Sequence, residues 1–387
     1  MDPAMTRQSV ALAKIARAAR AGSVQPRQMK MLALMKYGDL AASTRQRLHQ
    51  YGAILAQHQI EIIPSYLLSN DYLKRLFSGK GKPAIAVISS YISRLILLLR
   101  KEDIDLLWIQ YESFPYLPSL FELLAFLAKK PVILDYDDAI FHQYDLNANP
   151  LVRRALGGKL QAVMRRASLC TCGNAYLKEY ADRFCARTEV VPTVVDTSVY
   201  TPRHRTRQPT KPITIGWIGS ASTWVYVEPL LPMLRRLATE LDAVIHVVGA
   251  SERNSMDPRV VFTDWSEARE VALIQDMDIG IMPLPDEPWA RGKCGYKLIQ
   301  YMACGLPVVA SPVGANATIV ADGEHGYLAS SEAEWELAIR RLVGNPQLRE
   351  DMGRLGRRKV EREYSLGVHG PRLAALVRDI ADRAAAG

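Results

Sequence analysis

The chain has 387 residues, of which 49% are apolar and 23% are charged, and its formal net charge is +9. This length exceeds what one hydrophobic core usually supports, so we expect two domains of similar size. The sequence has no zinc finger, no helix-turn-helix pattern and no basic–aromatic interleaving, which argues against nucleic-acid binding. It also lacks a stretch of roughly 20 apolar residues and an apolar N-terminal region, so neither a membrane span nor a signal peptide is expected.

Short apolar strands alternate with amphipathic helices along the chain, which is typical of parallel α/β architecture. In the first half the predicted strands cover residues 31–35, 60–64, 105–111, 131–135, 169–171 and 190–191. In the second half they cover residues 213–219, 244–249, 260–263, 279–283 and 306–310. The sequence therefore predicts two parallel sheets, one in each half.

Composition also predicts where the domains begin and end. The first residues are rich in Arg and Lys without a packing pattern, and a later Pro-, Thr- and Arg-rich stretch has no apolar periodicity and predicts a linker. The expected units are a mobile basic extension (1–29), a first domain (30–200), a linker (201–211), a second domain (212–365) and a C-terminal helix that crosses back to the first domain (366–387).

The cysteines give no sign of a disulfide framework or a zinc site. They are odd in number and irregularly spaced, and we interpret them as reduced thiols of a cytoplasmic protein. They are Cys170, Cys172, Cys185, Cys294 and Cys304.

Residues 293–314 read KCGYKLIQYMACGLPVVASPVG and carry the strongest functional signal. Lys293, Tyr296 and Lys297 open an apolar helix that ends at Gly305, and a short buried strand follows. Ligands of open α/β sheets bind at the carboxyl ends of strands, and a helix start with two lysines suits a diphosphate. The alternative is an ordinary strand–helix–strand unit whose lysines are solvated.

The segment 303–311, ACGLPVVAS, resembles the donor-binding segment of the retaining nucleotide-sugar glycosyltransferases of the GT-B fold, family 4. This resemblance implies two Rossmann-like domains that face a central cleft, with the acceptor on the first domain and the donor on the second. It also implies a nucleoside-diphosphate sugar as donor substrate, with no further cofactor and no metal. The family's usual pair of glutamates is missing, because those positions fall on Gly292 and Gln300.

Residues 131–145, PVILDYDDAIFHQYD, place acids directly after a buried strand. The stretch DYDDAIF resembles a bacterial surface-polysaccharide subgroup of the same family, and Asp137 falls where many relatives carry a histidine near the donor sugar. Asp137 or Asp138 could orient a hydroxyl or stabilise an oxocarbenium-like charge, with His142 as a lesser candidate. The alternative is a pair of helix-capping acids. A metal role for Asp135 and Asp137 is disfavoured by the parallel-sheet interpretation.

Other candidates lie at further strand ends. Glu112 follows a first-domain strand and could meet the acceptor, or it could be a surface glutamate. The loop after Gly219 lacks the Arg and Lys that relatives carry there, so Arg291 and the two lysines are expected to supply that charge. The complete set of donor-binding candidates is Gly38, Arg45, Gly219, Ser220, Arg291, Lys293, Tyr296, Lys297 and Gln300.

The segment 151–167 contains five basic residues and no acid, alternating with an apolar stripe. A basic amphipathic helix of this kind is typical of elements that bind an anionic membrane surface. The alternative is a surface helix whose apolar face packs on its own domain.

Together these features predict a glycosyltransferase, cytoplasmic or peripheral on the inner face of the plasma membrane, that uses a nucleotide-sugar donor and a glycan or lipid-linked acceptor. Two alternatives remain open. One is a nucleotide-sugar epimerase of the same fold, and the other is a catalytically inactive nucleotide-sugar-binding or scaffold subunit, which the missing glutamates suggest.

Overall fold

The computed structural model describes residues 27–77, 81, 83–100, 103–202, 212–250 and 257–386. Two six-stranded sheets, parallel throughout, account for the fold, with strand orders β2-β1-β3-β4-β5-β6 and β12-β11-β10-β7-β8-β9. The predicted α/β class with one sheet in each half is confirmed. Most of the predicted N-terminal extension and of the predicted linker lies outside the described residues.

The strands of the first sheet are β1 (Met29–Tyr37), β2 (Ile60–Leu68), β3 (Leu106–Gln110), β4 (Val132–Tyr136), β5 (Leu169–Cys172) and β6 (Thr188–Val190). The strands of the second sheet are β7 (Ile213–Ile218), β8 (Ala243–Val248), β9 (Val260–Thr263), β10 (Ile279–Met282), β11 (Val308–Ala310) and β12 (Gly326–Leu328).

The helices of the first half are α1 (Ala42–Arg47), α2 (Gly52–Gln57), α3 (Asn70–Phe77), α4 (Ala84–Leu99), α5 (Ser119–Glu122), α6 (His142–Asp145), α7 (Pro150–Leu156), α8 (Lys159–Met164) and α9 (Ala175–Asp182). The helices of the second half are α10 (Ala221–Trp224), α11 (Leu231–Glu240), α12 (Glu270–Gln275), α13 (Pro288–Arg291), α14 (Tyr296–Ala303), α15 (Asn316–Ile319), α16 (Glu332–Gly344), α17 (Pro346–Glu363) and α18 (Leu366–Ala386). None of the helices that the structure describes is both long and apolar enough to cross a membrane.

The strands are buried on both faces because helices cover both sides of each sheet. β3, β4, β5, β7, β10 and β11 consist entirely of buried residues, as expected for central parallel strands. Alternate strand residues enter different apolar clusters, so each sheet separates two halves of its domain core.

The structure corrects some predicted bounds. β1 begins at Met29, so that residue belongs to the sheet and not to the extension. β11 begins only at Val308, because Pro307 has no N–H to donate to a neighbouring strand. β12 pairs with β11 at the edge of the second sheet and was not predicted.

The C-terminal helix α18 packs on the first domain. Leu373, Ala374 and Val377 are buried in the same cluster as Met31 and Trp108 of the first sheet. The chain therefore leaves the second domain and returns to the first, as the sequence suggested.

A buried ion pair fixes the end of β4. Arg47 donates from Nε and Nη2 to the two carboxylate oxygens of Asp135, at 3.0 and 2.5 Å, and from Nη1 to Val191 O at 2.7 Å. Thr171 donates a further hydrogen bond to Asp135 at 2.7 Å. Asp135 is thus fully engaged in joining α1, β4 and β5, and this occupancy contradicts the metal-ligand alternative for it.

A second buried network holds Glu112, which corrects its predicted role. Lys159 Nζ lies 2.7 Å from Glu112 and 3.1 Å from Glu122, and all three side chains are fully buried. Tyr144 donates to both oxygens of Glu112, at 2.8 and 3.0 Å. Glu112 therefore neither lies at the surface nor reaches an acceptor.

For the basic segment 151–167 the structure favours the alternative interpretation, a surface helix whose apolar face packs on its own domain. Leu156, Leu160 and Val163 are buried in the first-domain core, and Lys159 points inward to its carboxylates. The apolar stripe therefore packs on its own domain, and the arginines of the segment remain at the surface.

We predict that Lys159→Met destabilises the protein by about 3–5 kcal/mol, because it leaves two carboxylates buried without their cation. Unfolding of the full chain in urea measures this loss. Arg154→Met is the matched control, since Arg154 lies exposed on the same segment and its change should cost less than about 0.5 kcal/mol. Equal stability of the two variants would contradict the role given to the buried network.

Candidate functional site

The loop after β4 presents Asp137 and Asp138 toward the second domain. Asp137 Oδ1 is buried and has no hydrogen-bond partner among the described residues. The pKa of Asp137 is raised to about 7, chiefly by burial and next by the neighbouring charge of Asp138. A carboxyl group near neutral pKa at the end of a parallel strand is a good candidate for a functional acid or base.

The start of α14 meets this loop from the other domain. Lys293 Nζ lies 3.0 and 3.1 Å from the two carboxylate oxygens of Asp138. Cys294 Sγ donates to Asp137 O at 2.8 Å, and Asn174 donates to Lys293 O at 3.0 Å. Three contacts of different chemistry therefore join the β4 loop and the start of α9 to the segment before α14.

Lys297 lies one turn further along, in an unusual environment. It has no hydrogen bond or carboxylate partner among the described residues, and its Nζ lies 5.6 Å from the Trp217 ring centroid. Burial lowers the pKa of Lys297 to about 8, and the nearby charge of Lys293 contributes in the same direction. A half-buried cation whose Nζ forms no ion pair among the described residues, beside a helix start, is a preformed site for an anion.

A small cavity lies beside the two lysines. Its wall is made by the ends of β7 and β10 and by α14, which is the strand-end position expected for a ligand of an α/β sheet. The lining residues are Trp217, Thr223, Tyr226, Met282, Pro283, Leu284, Lys293 and Lys297.

Gly219 belongs to this arrangement for a steric reason. A Cβ at that position would lie 2.6 Å from the Trp217 ring and 2.8 Å from Lys297 Cε. Only glycine therefore lets the β7 loop pass so close to the lysine. Ser220 follows at the surface, where its hydroxyl contacts that of Ser222 at 2.9 Å.

The position of the family's first glutamate has no room for a side chain. A Cβ on Gly292 would overlap Ala139 in the β4 loop of the other domain, with the Ala139 nitrogen at only 2.8 Å. In the closed arrangement the first-domain loop thus occupies the space that a glutamate at 292 would need.

The position of the second glutamate is occupied by a paired amide. Gln300 is buried and donates from Nε2 to Glu270 at 2.7 Å and to the Tyr200 hydroxyl at 3.1 Å. Trp265 donates to the other Glu270 oxygen at 2.6 Å. A carboxylate is therefore present here, but α12 supplies it. The sequence analysis missed Glu270; the only available signal was that a glutamine in place of a glutamate can pair with a carboxylate.

Four of the predicted site residues do not line the described cavity: Arg291, His142, Gly38 and Arg45. Arg291 is exposed and bound to Asp286 at 2.6 and 3.1 Å, and it does not line the described cavity. His142 uses both ring nitrogens, toward Asp145 and Tyr176 at 2.8 Å each.

Gly38 and Arg45 also have contacts that differ from a phosphate site. A Cβ on Gly38 would lie 2.5 Å from the Asn70 amide oxygen, so this glycine permits close packing in the loop after β1. Arg45 lies 5.0 Å from the Trp265 ring and 3.6 Å from Glu267, which makes it a contact between the domains. Tyr296 meets the Tyr200 hydroxyl at 3.4 Å, beside the Glu270 network.

Comparison with known proteins finds a family match within the second domain. Residues 212–345 match the family model described as Glycosyl transferases group 1. The chain is 26% identical over 234 residues to the "Putative teichuronic acid biosynthesis glycosyltransferase TuaH" of Bacillus subtilis, which covers 52% of this chain and 54% of that protein. A D-inositol 3-phosphate glycosyltransferase of Arthrobacter is also 26% identical, over 232 residues, with 53% and 54% coverage. The chain thus spans about half the length of these curated relatives.

Solved structures extend the likeness to the whole fold. Sucrose-phosphate synthase of Thermosynechococcus elongatus superposes with a TM-score of 0.67 at 15% identity, covering 92% of this chain and 99% of that one. Anabaena Alr3699/HepE, solved with UDP-glucose, gives 0.63 at 16% identity, with 91% and 100% coverage. The predicted GT-B arrangement of two Rossmann-like domains is confirmed by these likenesses.

We predict that Lys297→Ala weakens the binding of UDP at least about ten-fold, because the variant removes the half-buried lysine of the described cavity that forms no ion pair. Isothermal titration calorimetry of the purified chain measures this change. Arg291→Ala is the matched control: Arg291 is a nearby cation that does not line the cavity, and its loss should change affinity less than about two-fold. Unchanged affinity in Lys297→Ala would remove this lysine from the diphosphate site.

The low pKa of Lys297 predicts how that binding depends on pH. In the free protein the lysine is charged below about pH 8 and loses its charge above that value. A bound diphosphate stabilises the ammonium form, so binding above about pH 8 should take up a proton and become weaker as pH rises. Calorimetry in two buffers of different ionisation enthalpy detects this proton. The Lys297→Ala variant should show no such uptake, and uptake that persists in it would assign the proton to another group.

Proposed function

We propose that this protein is a retaining GT-B glycosyltransferase that moves a sugar from a nucleoside diphosphate to a glycan or lipid-linked glycan acceptor. The proposed setting is bacterial surface-polysaccharide biosynthesis at the inner face of the plasma membrane. The observation that carries the proposal is the pair of lysines at the start of α14, beside a strand-end cavity, within a domain that matches a glycosyltransferase family model. The names of the relatives and the nucleotide in the HepE structure support the donor class.

In the proposed reaction the bond between the anomeric carbon and the diphosphate breaks, and the diphosphate leaves with the bonding electrons. Lys297, Lys293 and the first N–H groups of α14 would stabilise that growing negative charge, with no metal required. The acceptor hydroxyl forms the new bond to the anomeric carbon and passes its proton to an oxygen of the departing diphosphate. Lys293 would have to share its charge between Asp138 and the donor.

Asp137 is the proposed catalytic carboxylate. It stands in the first-domain loop that faces the lysines, and its Oδ1 has no partner among the described residues. In the ionised form it would stabilise the positive charge that develops on the sugar ring in an oxocarbenium-like transition state. Its pKa near 7 implies that this ionised form becomes scarce below neutral pH.

A binding or scaffold subunit without transferase activity is the second candidate. One observation favours it: Gly292 has no space for a glutamate while Ala139 lies against it. Such a protein would bind the nucleotide sugar without turning it over. An epimerase, in contrast, would convert the donor without any acceptor. Incubation with a panel of nucleotide sugars, with and without membrane lipid extract, separates the three outcomes by their products.

We predict that Asp137→Asn lowers turnover at least about 100-fold, because the amide keeps the shape and loses the charge that supports the transition state. The activity of the unchanged chain should also fall as pH drops below about 7, since protonation of Asp137 removes the same charge. Donor hydrolysis or transfer, followed by nucleotide release, measures both effects. His142→Gln is the control, because His142 is occupied by Asp145 and Tyr176 and should leave the pH profile unchanged.

The same substitution has an opposite effect on stability. The pKa of Asp137 is raised in the folded chain, so the folded state binds more protons than the unfolded state between about pH 3.8 and 7. Ionised Asp137 therefore costs stability above about pH 7, by roughly 4 kcal/mol at most. Asp137→Asn should melt at a higher temperature than the unchanged chain at about pH 8, and the difference should shrink toward about pH 5. A lower melting temperature at both values would assign Asp137 a structural role.

A further inference from the structure

The exposed face of α4 is apolar along its whole length. Its outward side chains recur at spacings of three and four residues, which places them on one side of the helix. Their exposed fractions are unusually high for such residues. They are Ile85 at 86%, Ile88 at 60%, Ile92 at 53%, Ile96 at 45% and Leu99 at 56%.

This face carries no charge. Arg94 is the single charged residue of α4, and it is buried on the opposite side, where Nη2 donates to Met35 O at 3.1 Å and to Ser65 O at 2.9 Å. A contiguous apolar strip of five large side chains on a surface helix is typical of a docking surface and not of a solvated face.

Basic residues flank the strip in the sequence. Residues 78–102 contain Lys80, Lys82, Arg94, Arg100 and Lys101 against the single acid Glu102. The neighbouring turn at residues 123–126 packs against the same cluster as Leu95 and is followed by an exposed leucine and lysine, Leu127 and Lys129. The combination of an apolar face and a basic margin is that of an element that lies in the interface of an anionic bilayer.

A cavity of about 540 Å³ opens between α4 and the edge strand β2, beside the apolar strip. Its lining includes the serines 89, 90 and 93 and two guanidinium groups, Arg94 and Arg100. Arg94 has no carboxylate partner among the described residues, its Nη1 has no hydrogen-bond partner, and burial lowers its pKa to about 10. Cationic and hydroxyl donors gathered in one cavity suit a phosphate group.

We propose that α4 docks the protein on an anionic lipid bilayer, with Ile85, Ile88, Ile92, Ile96 and Leu99 entering the interface and a lipid phosphate occupying the Arg94–Arg100 cavity. The strip places the membrane against the first domain, on the side of β2. This surface differs from the segment 151–167, whose apolar residues are consumed by the domain core.

A second copy of the chain fits this face less well than a bilayer does. In a two-fold symmetric contact the same patch lies on both sides, so the cavity arginines of the two copies would approach each other. The described residues of α4 offer no acid to pair with them. An anionic lipid surface supplies that charge.

The test is co-sedimentation of the full chain with phosphatidylcholine vesicles, with and without phosphatidylglycerol. The unchanged chain should bind, and more strongly with the anionic lipid. The triple variant Ile85→Gln, Ile88→Gln, Ile92→Gln should bind at least about ten-fold more weakly, because it removes the most exposed part of the strip. The matched control is Leu337→Gln, Leu355→Gln, Val368→Gln, which changes three exposed apolar residues elsewhere and should bind as the unchanged chain does.

Ser93→Glu tests the cavity separately. It places an acid beside Arg94 at an exposed position, so it should reduce binding to the anionic vesicles and leave the weaker binding to phosphatidylcholine unchanged. Unfolding in urea should give the same midpoint for all these variants, which shows that they are folded by a measurement independent of the proposed transferase function.

Three results would overturn the proposal. One is vesicle binding by the triple glutamine variant that equals that of the unchanged chain. Another is the loss of a dimer in the triple variant, seen by light scattering, without a change in vesicle binding, which would make α4 a contact between copies. The third is loss of binding only when Arg153, Arg154, Arg165 and Arg166 become Gln, which would return the membrane surface to residues 151–167.

Discussion

The contact between the β4 loop and the segment before α14 is the constraint on which the candidate site depends. It combines the Lys293–Asp138 ion pair, the Cys294–Asp137 hydrogen bond and the close approach of Gly292 to Ala139. A side chain at position 292 would collide with Ala139. The close contact of the two domains at this point therefore requires glycine there. The contact brings Asp137, whose pKa is raised, into the same region as Lys297, which forms no ion pair. The two residues belong to different domains.

Sequence reasoning recovered the parts that depend on local pattern. Continuous apolar runs predicted the central strands, and the apolar run after Lys293 predicted the helix α14, beside which Lys293 and Lys297 line the cavity. The sequence did not predict which charged residues are buried when their partner is distant in the chain. Glu112 and Lys159 are distant in sequence and form an ion pair inside the core. The residues around each of them in the sequence give no sign of this pairing. Arg291, which was predicted to bind the donor, differs for the opposite reason. A nearby acid, Asp286, pairs with it at the surface.

The same limit explains Glu270 and the face of α4. The Glu270–Gln300 pair joins two helices that are 30 positions apart, so only the tertiary structure shows that a carboxylate reaches the position where the family has one. In the sequence, residues 84–99 form a largely apolar segment that Arg94 interrupts. Its periodicity could suggest one buried face, but not that the face with five large apolar residues is the one left exposed.

Asp137 and Lys297 share a physical logic that links stability to binding. Each is held where its charged form is disfavoured, so the pKa of the acid is raised and the pKa of the base is lowered. Both charged forms lower the free energy of unfolding, and neither group has a full partner among the described residues. In the proposed reaction the donor would supply the opposite charges, a diphosphate for the lysine and a developing oxocarbenium for the aspartate. The donor diphosphate would stabilise the charged lysine, and only the transition state would stabilise both charged groups at once, which is the condition for binding energy to appear as rate.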